Sequence, residues 1–420
     1  MSDLTEKMDR IRKVVAGVNS AWAKENKVPP GTPDRCRIAT DLPPQRLISM
    51  HNPAVDRALG GGMLQGTILN VTGQKGAGKT TLAADAVASC QAEGYLTVWY
   101  QTETDIPYEA WRLAGVDQKG LLYLDARGYG EDGLNLIKEI VMDGKTPRPE
   151  IGLIVIDSIA AMSPAAEMHQ QEEKGFEGNT VGRHAAMTSK VLRVICGCGM
   201  LNGGATLLCI NHKHAQISSS TPMPDVDSGG RAMGYYPKIS LDLKAPKSGL
   251  IQDKNGTVVG HTVSFQVAKN NTGTARPYAT GSYRVIYKVG LDKVFSLVDE
   301  GLDYGVVLES AARYQIRVRV DDGSYTLSPK VHGRDSFEAA LKADPALLDK
   351  LGMYIVVGRS ILRDGGARYI FMNGQYVDQA TGECVDLADY ILGLKVPPPI
   401  PEQIAPPISA APAAELAAAA

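Results

Sequence analysis

This chain is short of three things: basic excess, aromatic side chains and long apolar runs. The formal net charge is -2, so no global positive field draws the molecule to nucleic acid, and any polynucleotide contact must come from a local patch. Aromatics make up 6%, with 5 Phe and 3 Trp, so the core must rest on Val, Ile, Leu, Met and Ala. No apolar run is long enough to span a membrane, and Met1 to Lys13 is polar and charged, unlike a secretory leader. A cytoplasmic protein without membrane partners is expected. The cysteines, Cys36, Cys90, Cys196, Cys198, Cys209 and Cys384, lack zinc-site spacing, since Cys196-Gly197-Cys198 has neither a second pair nor a nearby His. They read as reduced, buried thiols. Internal repeats are absent.

What is present suits a globular chain of two or three domains, with 44% hydrophobic against 21% charged residues over 420 positions. Leu4, Met8, Ile11, Val14, Val15 and Val18 recur at helical spacing and predict a helix over 3–26. Val28-Pro29-Pro30-Gly31-Thr32-Pro33 breaks it. Such a helix and strap (1–45) either packs on its own core or serves as an arm for a neighbouring subunit. From 46 to 300 apolar strands alternate with helices: strands at Thr67–Thr72, Leu96–Gln101, Leu153–Ile156, Thr206–Asn211 and Ile239–Leu243, helices at Thr80–Glu93 and Gly133–Met142. That pattern predicts an α/β core with a mostly parallel sheet flanked by helices. Thr262–Lys269 and Tyr283–Lys288 alternate more and suit an antiparallel extension. Residues 301–395, with helices at Ser336–Lys342 and Pro345–Leu351, read as a small α+β domain. The Pro/Ala-rich stretch 396–420 is expected to be disordered.

Gly73-Gln74-Lys75-Gly76-Ala77-Gly78-Lys79-Thr80 fits the G-x-x-x-x-G-K-[ST] pattern between a strand and a helix. Glycines let backbone N–H groups curl around phosphate oxygens, and the helix N-terminus adds favourable dipole. Lys79 brings charge to the β- and γ-phosphates, and Thr80 offers a hydroxyl to Mg²⁺. Ile154-Val155-Ile156-Asp157 is the matching second half: a strand ending in a carboxylate for Mg²⁺, through water, about 80 residues after Lys79. Gln101-Thr102-Glu103 follows another strand and belongs at the same sheet edge. Glu103 is the candidate general base; a solvated loop acid is the plainer alternative.

With these residues in view, the chain resembles the RecA family of bacterial and bacteriophage recombinases. The resemblance runs from Asn52–Gly62 (NPAVDRALGGG) through Gly73–Thr81, Glu103, the DSIAAMSPAAE stretch from Asp157 to Glu167, Leu207–His212, Gly229-Gly230 and Lys269-Asn270, into Ser336–Gly352. It implies a RecA-like ATPase core with an N-terminal helical arm and a small α+β C-terminal domain. It also implies ATP and Mg²⁺ as cofactors, held by Gly73 to Thr80 and Thr81, with Asp157 in the Walker B position. Residues 167–182 and 213–230 would be DNA-binding loops. The family's γ-phosphate-sensing Gln is replaced here by His212: a neutral His can hydrogen-bond a phosphate and a charged one can pair with it, so the ATP–DNA coupling is either kept or weakened, and a loop histidine with no sensing role is the plainer alternative. Lys269 matches one of two family lysines that reach a neighbour's ATP; the second position is the uncharged Asn271, so that site is expected to be less well neutralised unless Arg276 or another cation substitutes. A solvated strand-end lysine is the plainer reading of Lys269.

Within the loops, Met168–Gly182 reads as polar and mobile, with Arg183, Lys190 and Arg193 following on a helix. Lys213–Gly230 is long and Gly/Ser/Pro-rich. Lys213, His214 and Arg231 supply local charge, Ile217 and Met223 are candidate wedges between bases, and Gly229-Gly230 closes the segment. The expected activity is ATP-dependent filament formation on single-stranded DNA, with pairing to a homologous duplex and strand exchange in recombination and repair. It would take place in a cytoplasm, the host's if the source is a phage. A ring-forming helicase or motor, or an ATP-gated DNA-binding assembly protein, are the alternatives.

Overall fold

The computed structural model describes residues 2–27, 36, 46–125, 130–174, 182–214, 226–273, 278–364, 369–372, 375–378, 381 and 383–395. Its centre is an 11-stranded sheet. The strands are β1 (Ile68–Gly73), β2 (Leu96–Gln101), β3 (Leu121–Asp125), β4 (Ile151–Asp157), β5 (Thr206–His214), β6 (Val226–Asp227), β7 (Ile239–Lys244), β8 (Leu250–Gln252), β9 (Val258–Asn270), β10 (Thr280–Ile286) and β11 (Gly290–Leu291). The main order is β11-β10-β9-β7-β1-β5-β4-β2-β3, with β6 paired to β5 and β8 to β9. From β7 to β3 every neighbour is parallel; β8 to β11 form the antiparallel extension. All six residues of β1 and all seven of β4 are buried, as strands covered on both faces require.

Two apolar layers sandwich this sheet. One gathers Leu69, Val71, Val155 and Ile210 under helix α3 (Lys79–Ala92), which contributes Leu82, Ala83, Ala86 and Val87. The other gathers Ile154, Ile156, Leu207 and Cys209 under helices α5 (Gly130–Val141) and α7 (Arg183–Gly197). Four of the scarce aromatics meet at one corner, around helix α4 (Tyr108–Ala114). Trp111 meets Trp99, Tyr108 and Tyr123 edge-on at centroid separations of 5.5, 5.6 and 5.8 Å, a favoured arrangement of their quadrupoles.

A third apolar cluster forms around helix α9 (Lys293–Asp303), α10 (Arg334–Ala343) and α11 (Pro345–Asp364), with Val298, Ile316, Phe337 and Leu351 at its centre. The strands Val307–Ser310, Arg313–Arg319, Tyr325–Leu327 and Val331–His332 give it a four-stranded antiparallel sheet. Helix α9 runs across position 300 and packs on both α11 and helix α2 (Pro53–Leu59). Arg359 of α11 pairs with buried Glu300 at 2.7 Å and buried Asp56 at 3.3 Å, so the clusters are joined by an ion network. Burial pushes the Asp56 carboxyl up to about 6, against the pull of Arg359.

Several expectations need correcting. The first half of the stretch read as a polar loop is helix α6 (Ala165–Lys174), because AAEMHQQEEK is dominated by helix formers and places Glu167 in the first turn. The strand expected to end at Asn211 continues to His214, because β6 supplies antiparallel partners for Lys213 and His214. Of the thiols, Cys90 and Cys209 are buried, but Cys36, Cys196 and Cys384 are exposed. On helix α1 (Ser2–Asn26), Ile11, Val14 and Val18 of the apolar stripe are each more than half exposed, while Met8 and Val15 are partly buried. Residues 396–420 lie outside the described residues.

Candidate nucleotide and DNA site

The turn after β1 is built from backbone. A Cβ on Gly73 would lie 2.5 Å from the Leu243 carbonyl oxygen, so only glycine lets the chain leave the sheet here. Gly78 caps α3 in the left-handed region, φ 78°, and places the helix N-terminus over the turn. Lys79 folds back and donates to the carbonyls of Gly73 at 3.0 Å and Gln74 at 2.9 Å. Burial holds its ammonium below the ordinary lysine range, against the pull of Asp157 and Glu103.

Parallel register delivers the remaining groups. β4 sits two strands from β1 and ends in Asp157; β2 is its next neighbour and ends just before Glu103. Thr80 Oγ1 donates to Asp157 Oδ2 at 3.1 Å. Burial and the nearby Glu103 push Asp157 up to about 7. Glu103 Oε1 accepts from Ser158 Oγ at 2.9 Å and lies 3.0 Å from His212 Nε2. Burial raises Glu103, but the bonds to His212 and Ser158 outweigh it and hold the carboxyl below its ordinary value. The residue replacing the family's sensor thus touches the candidate base directly. Neither the Ser158 bond nor the His212 contact was legible in the sequence, because each depends on which strands become neighbours.

These groups share a cavity of about 340 Å³, lined by Glu103, Asp157 and His212 together with His261, Val285 and Tyr287. Lys75, Gly76, Ala77, Gly78, Thr80 and Thr81 of the phosphate turn also line it. His261 and Tyr287 were missed in the sequence; β9 and β10 read as an extension, with nothing local to place them beside the phosphate turn. Their rings lie 5.7 Å apart, and burial lowers His261, keeping it neutral. Thr80 and Asp157 fit an octahedral Mg²⁺, which takes few protein oxygens and keeps its waters. A larger cavity, about 450 Å³, opens beside α2 and α9. Its Arg57, Asp299 and Glu300 already pair with Asp303, Arg334 and Arg359, so they leave little charge for a phosphate.

Lys269 does not reach this cavity. It lies opposite Ser240 on β9, at the level of Asn70, three residues short of Gly73 and so roughly 10 Å from it along the strand. Its ammonium donates to the carbonyls of Gly234 and Tyr235, at the end of helix α8 (Ala232–Tyr235), at 2.8 and 3.1 Å. Asn271 is next to the same corner, its N–H donating to the Lys238 carbonyl, while Arg276 lies outside the described residues.

The candidate DNA residues separate. Arg183 opens α7 and donates to the Ala166 carbonyl; Arg193 and Arg231 are exposed. Lys213 is not a free cation, since it pairs with Asp242 at 2.6 Å and both side chains are largely buried. Gly229 and Gly230 pack against α7. His214 is described in its backbone, at the end of β5; Ile217 and Met223 lie outside the described residues.

Residues 39–292 match the family model for the RecA N-terminal domain. The chain belongs to the RecA family. Among its curated relatives, Protein RecA of Frankia casuarinae is 31% identical over 325 residues, covering 76% of this chain and 88% of the relative. Protein RecA of Corynebacterium aurimucosum is 30% identical over 319 residues, 76% of this chain and 78% of the relative. Membership of the RecA family makes the protein an ATP-dependent DNA recombinase of recombination and repair, with DNA-dependent ATPase activity. Among the described residues, no helix is long and apolar enough to cross a membrane.

Proposed function

We propose that the protein, acting in the cytoplasm, binds ATP with Mg²⁺ on the Gly73–Thr81 turn. It then assembles as a helical filament on single-stranded DNA and exchanges that strand with a homologous duplex. The carrying observation is the Glu103–His212 contact at 3.0 Å, because His212 sits where β5 leads into the 213–230 connection. One side chain therefore adjoins both the place of the γ-phosphate and the root of a DNA-binding segment. Glu103 accepts the proton of the attacking water, and Lys79 neutralises charge on the transferred phosphoryl. Thr80 would hold Mg²⁺ directly and Asp157 through water, and the ion would supply charge neutralisation to the bound phosphates.

The position of Lys269, away from its own cavity, supports the reading that it serves the nucleotide of the next subunit. The exposed apolar stripe of α1 supports docking on that subunit. Head-to-tail contacts of this kind generate open filaments when the rotation between neighbours does not close. DNA contact would fall to the 167–182 and 213–230 stretches with Arg183, Arg193, His214, Ile217, Met223, Gly229, Gly230 and Arg231. Electron microscopy with single-stranded DNA tests the reading: filaments that require ATP are expected, whereas closed rings, or no assembly, would overturn it.

A further inference from the structure

The phosphate turn and the 213–230 connection are linked a second time, at a place the mechanism above does not use. Asp227, in β6 at the exit of that connection, presents both carboxylate oxygens to β1. Asn70 Nδ2 donates to Oδ2 and Thr72 Oγ1 to Oδ1, each at 2.9 Å. Asn70 and Thr72 are buried, and Thr72 immediately precedes Gly73. The same exit is fastened to the entry: Asn211 Nδ2 donates to the Ser228 carbonyl at 2.9 Å, and the Ser228 N–H to the His212 carbonyl at 3.1 Å. It also lies flat on α7. A Cβ on Gly229 would come within 2.9 Å of Thr188 Cγ2, and one on Gly230 within 2.8 Å of Ala185 Cβ.

We propose that Asp227 is a positioning residue that latches the exit of the 213–230 connection to the strand carrying the phosphate turn, so that nucleotide binding sets the connection's geometry at both ends. His212 reads the nucleotide at the entry, and Asp227 reads the displacement of β1 at the exit. A carboxylate suits this role better than a neutral acceptor. Bonds to a charged acceptor are shorter and stronger, and two donors on alternate residues of one strand fix its direction as well as its distance. The inference rests on the reading of 213–230 as a DNA-binding segment.

The test uses the full chain and fluorescence anisotropy of a labelled single-stranded oligonucleotide at fixed salt, with and without ATP and Mg²⁺, alongside a separate ATP titration. Asp227→Ala is expected to lower the ratio of DNA affinities with and without ATP by about tenfold, the worth of a charge-assisted hydrogen bond, while ATP affinity stays within about twofold. Thr72→Val removes one donor and keeps the shape; it should lower the ratio about threefold. The reciprocal exchange, Asn70→Asp with Asp227→Asn, restores a donor facing an acceptor and should recover most of the ratio, which a merely structural role would not predict. A wild-type ratio retained in both Asp227→Ala and Thr72→Val, or an exchange no better than Asp227→Ala, overturns the latch. Equal DNA affinity with and without ATP in the unmodified protein would instead remove the loop reading, and the latch with it.

Discussion

Eight consecutive residues, Gly73–Thr80, make the phosphate cradle, whereas the exit of the 213–230 connection is held by Thr72 and Asn70, 155 and 157 positions away in the chain. The cradle uses backbone N–H groups, a helix end and one lysine returned to its own turn. The connection uses side chains borrowed from other strands: Glu103 meets His212, Asp242 neutralises Lys213 and Asn211 grips Ser228. A locally built site persists wherever its strand–turn–helix folds. A site assembled from distant partners exists only in the finished sheet, and every change of strand geometry reaches it. On the proposed function, that difference would let one region hold a nucleotide while the other responds to it.

The comparison predicts large effects on chemistry at the cradle and graded effects at the roots. Lys79→Ala should show the largest change, a loss of ATP hydrolysis of at least about a hundredfold in a phosphate-release assay, because a preorganised charge is removed. Its melting temperature should stay close to the parent's. Full activity in this variant would break the assignment of the cradle. Glu103→Gln keeps the shape and removes the base; kcat should fall about a hundredfold with little change in ATP affinity. A loss of affinity instead would move Glu103 from chemistry to binding.

The pH dependence is smaller and has a definite sign. Asp157 stands at about 7, above its ordinary value, so below that pH it carries a proton that a cation must displace. Mg²⁺-dependent binding of a fluorescent nucleotide should therefore strengthen as pH rises from 6 towards 7, by up to about tenfold per unit, and flatten above. Asp157→Asn should remove the slope. The smallest effect on DNA binding concerns Lys213. If its charge serves Asp242, Lys213→Ala leaves a largely buried carboxylate without its partner, costs about 3 kcal/mol of stability and leaves the salt dependence of DNA binding unchanged. A phosphate contact would show as a logarithmic salt slope reduced by about 0.7, the value for one phosphate on a single strand.

Much of the fold was legible because its signals are local. β2 has the bounds its apolar run predicts, and α3 and β1 differ by a residue or so at each end. The phosphate turn, Asp157 at its strand end and Glu103 at the same edge were all placed by motif and spacing. His261, Tyr287, Ser158 and Asp227 were not, since nothing in their neighbourhoods distinguishes them from ordinary polar residues of a strand or loop. The partner of Lys213 was hidden for the same reason: a lysine beside a polar loop reads as a phosphate contact until its neighbour Asp242 is known.

The sequence by itself determined the α/β class and the nucleotide turn, because glycine geometry and apolar periodicity act within a few residues, while the family entered as a resemblance carried by its motifs. Only the tertiary structure decided which cations stay available, what His212 touches and how the 213–230 connection is tied to β1. Those depend on strand order and register, and a sheet in which β1 lies between β5 and β7 brings together residues that the chain keeps more than a hundred positions apart.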